Sequence, residues 1–144
     1  MPEQTTSSID IDAAPEQVMA VIVDFEHYPA WVQGMKKVEV VQRGADGRAE
    51  QVHFDLDAGV KDAYTLEYDY ADPHTLNWHL VDGKLMRGMD GTYELSVSGS
   101  GTHVTYRLAV DLAIPMIGML RRKAEKVIID TALKGLKKRV ESLG

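Results

Sequence analysis

Two side chains bound the chemistry this sequence offers. Asp62 shares the inward parity of Tyr64 on an alternating segment, and Arg121 lies near the Ile117 and Ile128 side of a long helical segment. An acid and a base at the mouth of an apolar chamber could steer an aldol cyclisation and dehydration. A surface ion pair, or two solvated side chains, accounts for the same residues. The histidines add nothing to the catalytic reading. His53 and His79 fall on the outward parity, His74 and His103 at turns, and His27 between the first helices, so no two form a couple. There is no cysteine, and no His-Glu-x-x-His, phosphate loop, GxSxG or dinucleotide fingerprint, so neither a metal nor a cofactor is expected.

The aromatic residues are more informative. Tyr64, Tyr68, Trp78, Tyr93 and Tyr106 all take the inward parity of strand-like runs. In a solid core a tyrosine hydroxyl needs a backbone partner, whereas a cluster of hydroxyls suits an apolar pocket with a few orienting donors. Met86, Met89, Met116 and Met119 flank the expected mouth, either as adaptable ligand contacts or as filler for core gaps. The expected lining is Tyr28, Trp31, Tyr64, Leu66, Tyr68, Trp78, Tyr93, Tyr106, Met116, Leu120 and Ala124.

The elements that must position these residues follow from periodicity. Ser8–Asp12 alternates and reads as a strand. Pro15 opens a helix over Glu16–Asp24, and Pro29 a second that carries Trp31. Six strands then follow in a meander, around Val38–Gln42, Val52–Leu56, Lys61–Tyr70, Leu76–Leu80, Tyr93–Val97 and Val104–Val110, with an irregular stretch at Asp82–Gly91. From Pro115 to Leu143 the pattern is helical, a rod of about 43 Å. Its apolar set is Ile117, Leu120, Ala124, Val127 and Ile128 in the first half, and Ile129, Leu133, Leu136, Val140 and Leu143 in the second, which implies two buried surfaces along one helix. A seven-stranded sheet about 30 Å wide must twist, and a helix laid across its concave side leaves a gap. The start of that helix, proline-broken and followed by Gly118, is the expected gate.

Composition restricts the alternatives. With 144 residues, 44% hydrophobic and 26% charged, the chain suits one globular domain over 1–144. The start lacks a leader pattern and no apolar run is long enough to span a bilayer, so the expectation is a cytoplasmic protein. The net charge of −6 divides unevenly. Residues 116–144 hold eight Lys or Arg against three acids, a net +5 that leaves −11 elsewhere. A basic helix face suits either plain solvation or transient contact with an anionic membrane surface, while the acidic body argues against nucleic acid. The sequence leaves the oligomeric state open.

The order strand, two helices, six strands, long helix is carried by recognisable segments. These are Asp24-Phe25-Glu26-His27-Tyr28-Pro29-Ala30-Trp31-Val32, the strand Tyr64–Tyr70, Gly91-Thr92-Tyr93, Val104-Thr105-Tyr106 and Val110-Asp111-Leu112-Ala113-Ile114-Pro115. Together they resemble the START-like (SRPBCC, helix-grip) superfamily over essentially the whole chain, in particular its polyketide cyclase/dehydrase branch with the coenzyme Q-binding START-type proteins. The resemblance implies an α+β helix-grip fold: a curved seven-stranded antiparallel sheet, two short N-terminal helices and a long C-terminal helix around a cavity. For function it implies a hydrophobic ligand such as a lipid, an isoprenoid or a polyketide-like polycycle, held by a carrier or sensor. Alternatives are an aromatase/cyclase-dehydratase that needs no cofactor, or an interaction protein docking through its basic helix.

Overall fold

The computed structural model describes residues 4–57, 61–112 and 118–143. Strand β1 (Thr5–Ile11) leads into α1 (Pro15–Ile22), a 3-10 turn (Phe25–His27) and α2 (Tyr28–Trp31). The meander comprises β2 (Met35–Arg43), β3 (Ala49–Asp57), β4 (Lys61–Asp72), β5 (Thr75–Gly83), β6 (Met86–Ser98) and β7 (Gly101–Leu112), and α3 (Gly118–Leu143) ends the chain. All strands join one curved antiparallel sheet in the order β1-β7-β6-β5-β4-β3-β2. The helix-grip architecture implied by the family resemblance is therefore the architecture observed.

Period two explains which residues reach the core. Val52 and Phe54, Tyr64, Leu66 and Tyr68, Leu76 and Trp78, Tyr93 and Leu95, and Val104, Tyr106 and Leu108 are buried, and the residues between them on each strand are more exposed. At the start of α1, Pro15 occupies the first turn and the Ala14 N–H donates to Gln17 Oε1 at 3.0 Å, which lets Val18, Val21 and Ile22 turn inward. The stretch Asp82–Gly91, expected to be irregular, is largely β-structure. Met86–Gly91 pairs with β7, with a register shift between Met86 and Gly88 that breaks the alternation a sequence reading depends on.

The expectation of two buried surfaces on α3 is corrected. Leu120, Val127 and Ile128 are 52%, 61% and 44% exposed. The buried residues form a single stripe, Glu125, Ile129, Leu133, Leu136 and Val140, at steps of three and four. Traced back one more turn, the stripe reaches Arg121. Leu120, Val127 and Ile128 lie on the outer face because the helix keeps one orientation throughout, Ala124 is half-buried, and Ile117 lies outside the described residues. Met116, the expected Pro115 start of the helix and the gate placed there lie outside the described residues, as does the side chain of Met119.

Among the described residues α3 packs on β1, β7 and α1, and barely touches β3 to β6. It runs parallel to β1 and is tied to that edge strand by polar bonds. Lys126 Nζ donates to Ser7 Oγ at 2.9 Å, Lys137 Nζ to the Asp10 carbonyl at 2.8 Å, and the Asp12 N–H to Glu141 Oε2 at 2.9 Å. A helix laid along β1 covers an edge that would otherwise expose unpaired backbone groups. Its second half comes close to α2. A Cβ on Gly135 would stand 3.0 Å from the Trp31 carbonyl oxygen, so the absence of a side chain there lets the two helices approach.

Candidate functional site

The middle of the sheet, where α3 makes few contacts, carries rings on its inner face. Phe54 stacks on Tyr64 at 5.3 Å, Tyr68 lies 5.8 Å from Trp78, Trp78 5.3 Å from Tyr93, and Tyr93 4.6 Å from Tyr106. From the opposite side Phe25 reaches Tyr68 at 4.6 Å, and Tyr28 bridges Phe25, Trp31 and Phe54. The expected lining residues Tyr28, Trp31, Tyr64, Tyr68, Trp78, Tyr93 and Tyr106 thus belong to one continuous aromatic chain, with Leu66 buried beside it. Gly91, opposite Trp78 in the sheet, creates the space for the indole: a Cβ there would overlap the ring.

These rings are enclosed but not sealed. Tyr64, Tyr68, Trp78, Tyr93 and Tyr106 each keep 6–8% exposure and Leu66 and Leu95 keep 5%, where Val52, Leu76, Val104 and Leu108 keep 0–1%. Burial pushes the hydroxyls of Tyr68, Tyr93 and Tyr106 well above the usual phenol range, and that of Tyr64 in the same direction. The Tyr68 hydroxyl is raised further by Tyr28, Tyr64, Tyr106 and Tyr93, so these hydroxyls converge on one region. Tyr28 differs: its hydroxyl donates to the Ile22 carbonyl. Tyr70, next inward on β4, donates to the Ala49 carbonyl at 2.7 Å. At neutral pH the convergent hydroxyls are uncharged and able both to donate and to accept.

The remaining expected residues divide. Ala124 is half-buried on α3, while Leu120 stands 52% exposed on its outer face, which removes it from the described interior. Asp62 accepts two backbone N–H groups through Oδ1, from Ala63 at 2.8 Å and Leu85 at 3.1 Å, and so pins the start of β4 to the β5–β6 connection. Arg121 is half-buried, and its Nε is fully enclosed with no hydrogen-bond partner among the described residues, as is Trp31 Nε1. Among the described residues no group of three His, Asp or Glu converges, and no helix is long and apolar enough to cross a membrane.

The sequence reading missed Glu125. It is 1% exposed, accepts the Thr5 hydroxyl at 2.6 Å and the Val110 N–H at 2.7 Å, and joins α3 to β1 and β7. The signal was present, since Glu125 stands four residues before Ile129 on the stripe that continues through Leu133. Also unanticipated is a cleft of about 300 Å³ between the 3-10 turn and the β2–β3 hairpin, to which Phe25, Arg43, Arg48 and Tyr70 contribute.

Known proteins share this fold. The family model described as polyketide cyclase / dehydrase and lipid transport matches residues 2–141. A START superfamily protein from Mycobacterium smegmatis superposes with a TM-score of 0.92 at 22% identity, covering 99% of both chains. A protein from Thermus thermophilus gives 0.79 at 25% identity, covering 98% of this chain and 99% of the other. A Streptomyces aromatase/cyclase gives 0.73 at 15% identity, covering 96% and 93% respectively. No curated protein matches the chain in sequence.

Proposed function

The chain belongs to the polyketide cyclase/dehydrase and lipid transport family, and from that premise we propose that it binds a hydrophobic small molecule between the sheet and the helices, as a carrier or sensor. The ligand class is a lipid, an isoprenoid or a polyketide-like polycycle. The observation that carries this reading is that the five inward rings keep 6–8% exposure, and Leu66 between two of them 5%, while Val52, Leu76, Val104 and Leu108 in the same sheet are sealed. A packed core seals its rings as completely as its valines, whereas rings fronting an enclosed space do not. Rings supply apolar contact area, and the convergent hydroxyls of Tyr64, Tyr68, Tyr93 and Tyr106 supply a few orienting bonds.

Binding is preferred over catalysis for a specific reason. The enzyme reading assigns proton transfer to Asp62, yet both bonds from Asp62 Oδ1 go to backbone N–H groups, a structural duty that competes with chemistry. Organic extraction of the purified protein followed by mass spectrometry, together with titration of Trp31 and Trp78 emission, tests the proposal. Saturable changes in emission and a raised thermal midpoint are expected with a hydrophobic ligand. If lipids, quinones and polycyclic phenols all leave both unchanged, the binding reading fails. Conversion of a poly-β-ketone that Asp62→Asn or Arg121→Ala abolishes would instead favour the cyclase.

A further inference from the structure

We propose that the cleft between the 3-10 turn and the β2–β3 hairpin is an opening into the aromatic interior, with Phe25 as its door and Arg43 and Arg48 holding the acidic head of a long-chain amphiphile. The proposal rests on the binding reading above and specifies the polarity of the ligand. Phe25 contributes to the wall of the cleft, is 2% exposed, and lies 4.6 Å from Tyr68 and 5.4 Å from Tyr28 on its inner side. One ring therefore separates the cleft from the aromatic chain. Tyr70, which forms part of the cleft, stands two residues beyond Tyr68 on β4 with the same parity, so the inner face of the sheet continues beneath Phe25 into the cleft. Val40 and Ala49 supply small apolar walls.

The door is lightly hung. Phe25 belongs to a three-residue 3-10 turn whose N-terminal side is held by an Asp24 N–H bond to the Val21 carbonyl at 3.3 Å and a His27 N–H bond to the Asp24 carbonyl at 3.2 Å. Both are long, and 3-10 geometry is weaker than α. The antiparallel meander puts the hairpin turn after β2 and the one after β4 at one end of the sheet, and the start of α3 with the end of β3 at the other. The cleft is therefore distinct from an opening at the helix start.

The rim chemistry selects an acid. Arg43 Nη1 donates to the Gly47 carbonyl at 3.0 Å and Nη2 stands 3.5 Å from Glu26, while Arg48 meets Asp46 through Nε at 3.0 Å and lies 5.0 Å above the Tyr70 ring centre. Of the cleft's own carboxylates, Asp24 is engaged by His27 Nδ1 at 2.8 Å and Glu26 by Arg43. Each guanidinium carries five donors and no acceptor, so the two bring more donors than Glu26 and Asp46 consume. A carboxylate head fits that surplus better than a hydroxyl.

Nuclear magnetic resonance titration with dodecanoic acid and with dodecanol tests the assignment. The acid should shift Arg43, Arg48 and the Trp78 indole together with one affinity. The double variant Arg43→Gln, Arg48→Gln, altered only at exposed positions, should weaken the acid by roughly threefold to tenfold and leave dodecanol within about twofold. Phe25→Leu should accelerate association of both probes. Shifts at Trp78 with Arg43 and Arg48 silent, and acid affinity unchanged in the double variant, overturn the proposal and leave interior binding intact. Shifts at the arginines with Trp78 silent also overturn it, by making the cleft a closed surface groove. If neither probe binds, the proposal falls, and a quinone or polycyclic phenol that still alters Trp78 emission distinguishes this from failure of the broader reading.

Discussion

From Ile129 to Val140 the inward stripe of α3 is aliphatic and sealed, with Ile129, Leu133, Leu136 and Val140 at most 3% exposed, whereas the two preceding turns present Glu125 and Arg121 on the same stripe. The aliphatic half contributes packing, at about 1.5–3 kcal/mol for each fully buried side chain. The polar half contributes fixed hydrogen bonds, because a buried carboxylate is tolerable only when its oxygens are satisfied, as those of Glu125 are by Thr5 and Val110. One helix therefore combines a dry anchor with a polar end. The contrast sets the aliphatic anchor of α3 against β1, β7 and α1, and the aromatic chain joins the same core through Tyr106 on β7.

The sharpest way to break the comparison is to empty the anchor. Leu136→Ala should cost about 2–5 kcal/mol in urea unfolding, while Val127→Ala on the exposed face should stay within about 0.5 kcal/mol; equal costs would show that the two faces are not distinct. Glu125→Gln, which keeps the shape but loses the charge, should cost about 1–3 kcal/mol by weakening the bonds to Thr5 and Val110. An unchanged unfolding midpoint would show that the charge contributes nothing there. Gly91→Ala should cost about 1–3 kcal/mol through the clash with Trp78 and should change its emission, which separates damage to the aromatic chain from damage to the anchor.

A smaller effect concerns pH. The folded state raises the pKa of Tyr68, Tyr93 and Tyr106, chiefly through burial. Unfolded tyrosines ionise first, so the contribution is fully present below about pH 10 and is lost as pH rises from there through the raised folded values. Thermal midpoints should therefore fall on the alkaline side, and Tyr68→Phe with Tyr93→Phe should flatten that fall; an identical slope would show that the hydroxyls are not buried. The smallest effect is on the acid side. Asp130 is lowered by its hydrogen bond to Lys126, and Glu141 by Lys137 and then the Asp12 N–H. Their contribution is present above the ordinary carboxylate range and is lost as pH falls through the lowered values. Lys126→Ala and Lys137→Ala should weaken the acid slope only slightly, since both pairs are exposed.

Much of the fold was legible in the sequence. Strict alternation at Tyr64, Leu66 and Tyr68 specified both the strand and the inward face, and Pro15 marked the start of α1 to the residue. Legibility failed where a local pattern pointed the wrong way. Leu120, Val127 and Ile128 have helical spacing and apolar character, yet the face they share is solvent-exposed. Periodicity identifies a stripe, but it does not say which of two competing stripes meets the core. Asp62 shows a different limit: two backbone N–H groups donate to its Oδ1, and parity carries no information about partners.

The sequence by itself determined the element order, the meander and the inward aromatics, because these follow from periods of 2.0 and 3.6 and from turn residues, all local properties. Only the tertiary structure decided that Glu125 is buried and bonded to Thr5, 120 positions away, that Gly91 makes room for Trp78, and that Phe25 stands between an outer cleft and the aromatic chain. Each of these depends on which surfaces meet across the sheet and helix. That pairing is set by global packing and long-range hydrogen bonding, and no window along the chain encodes it.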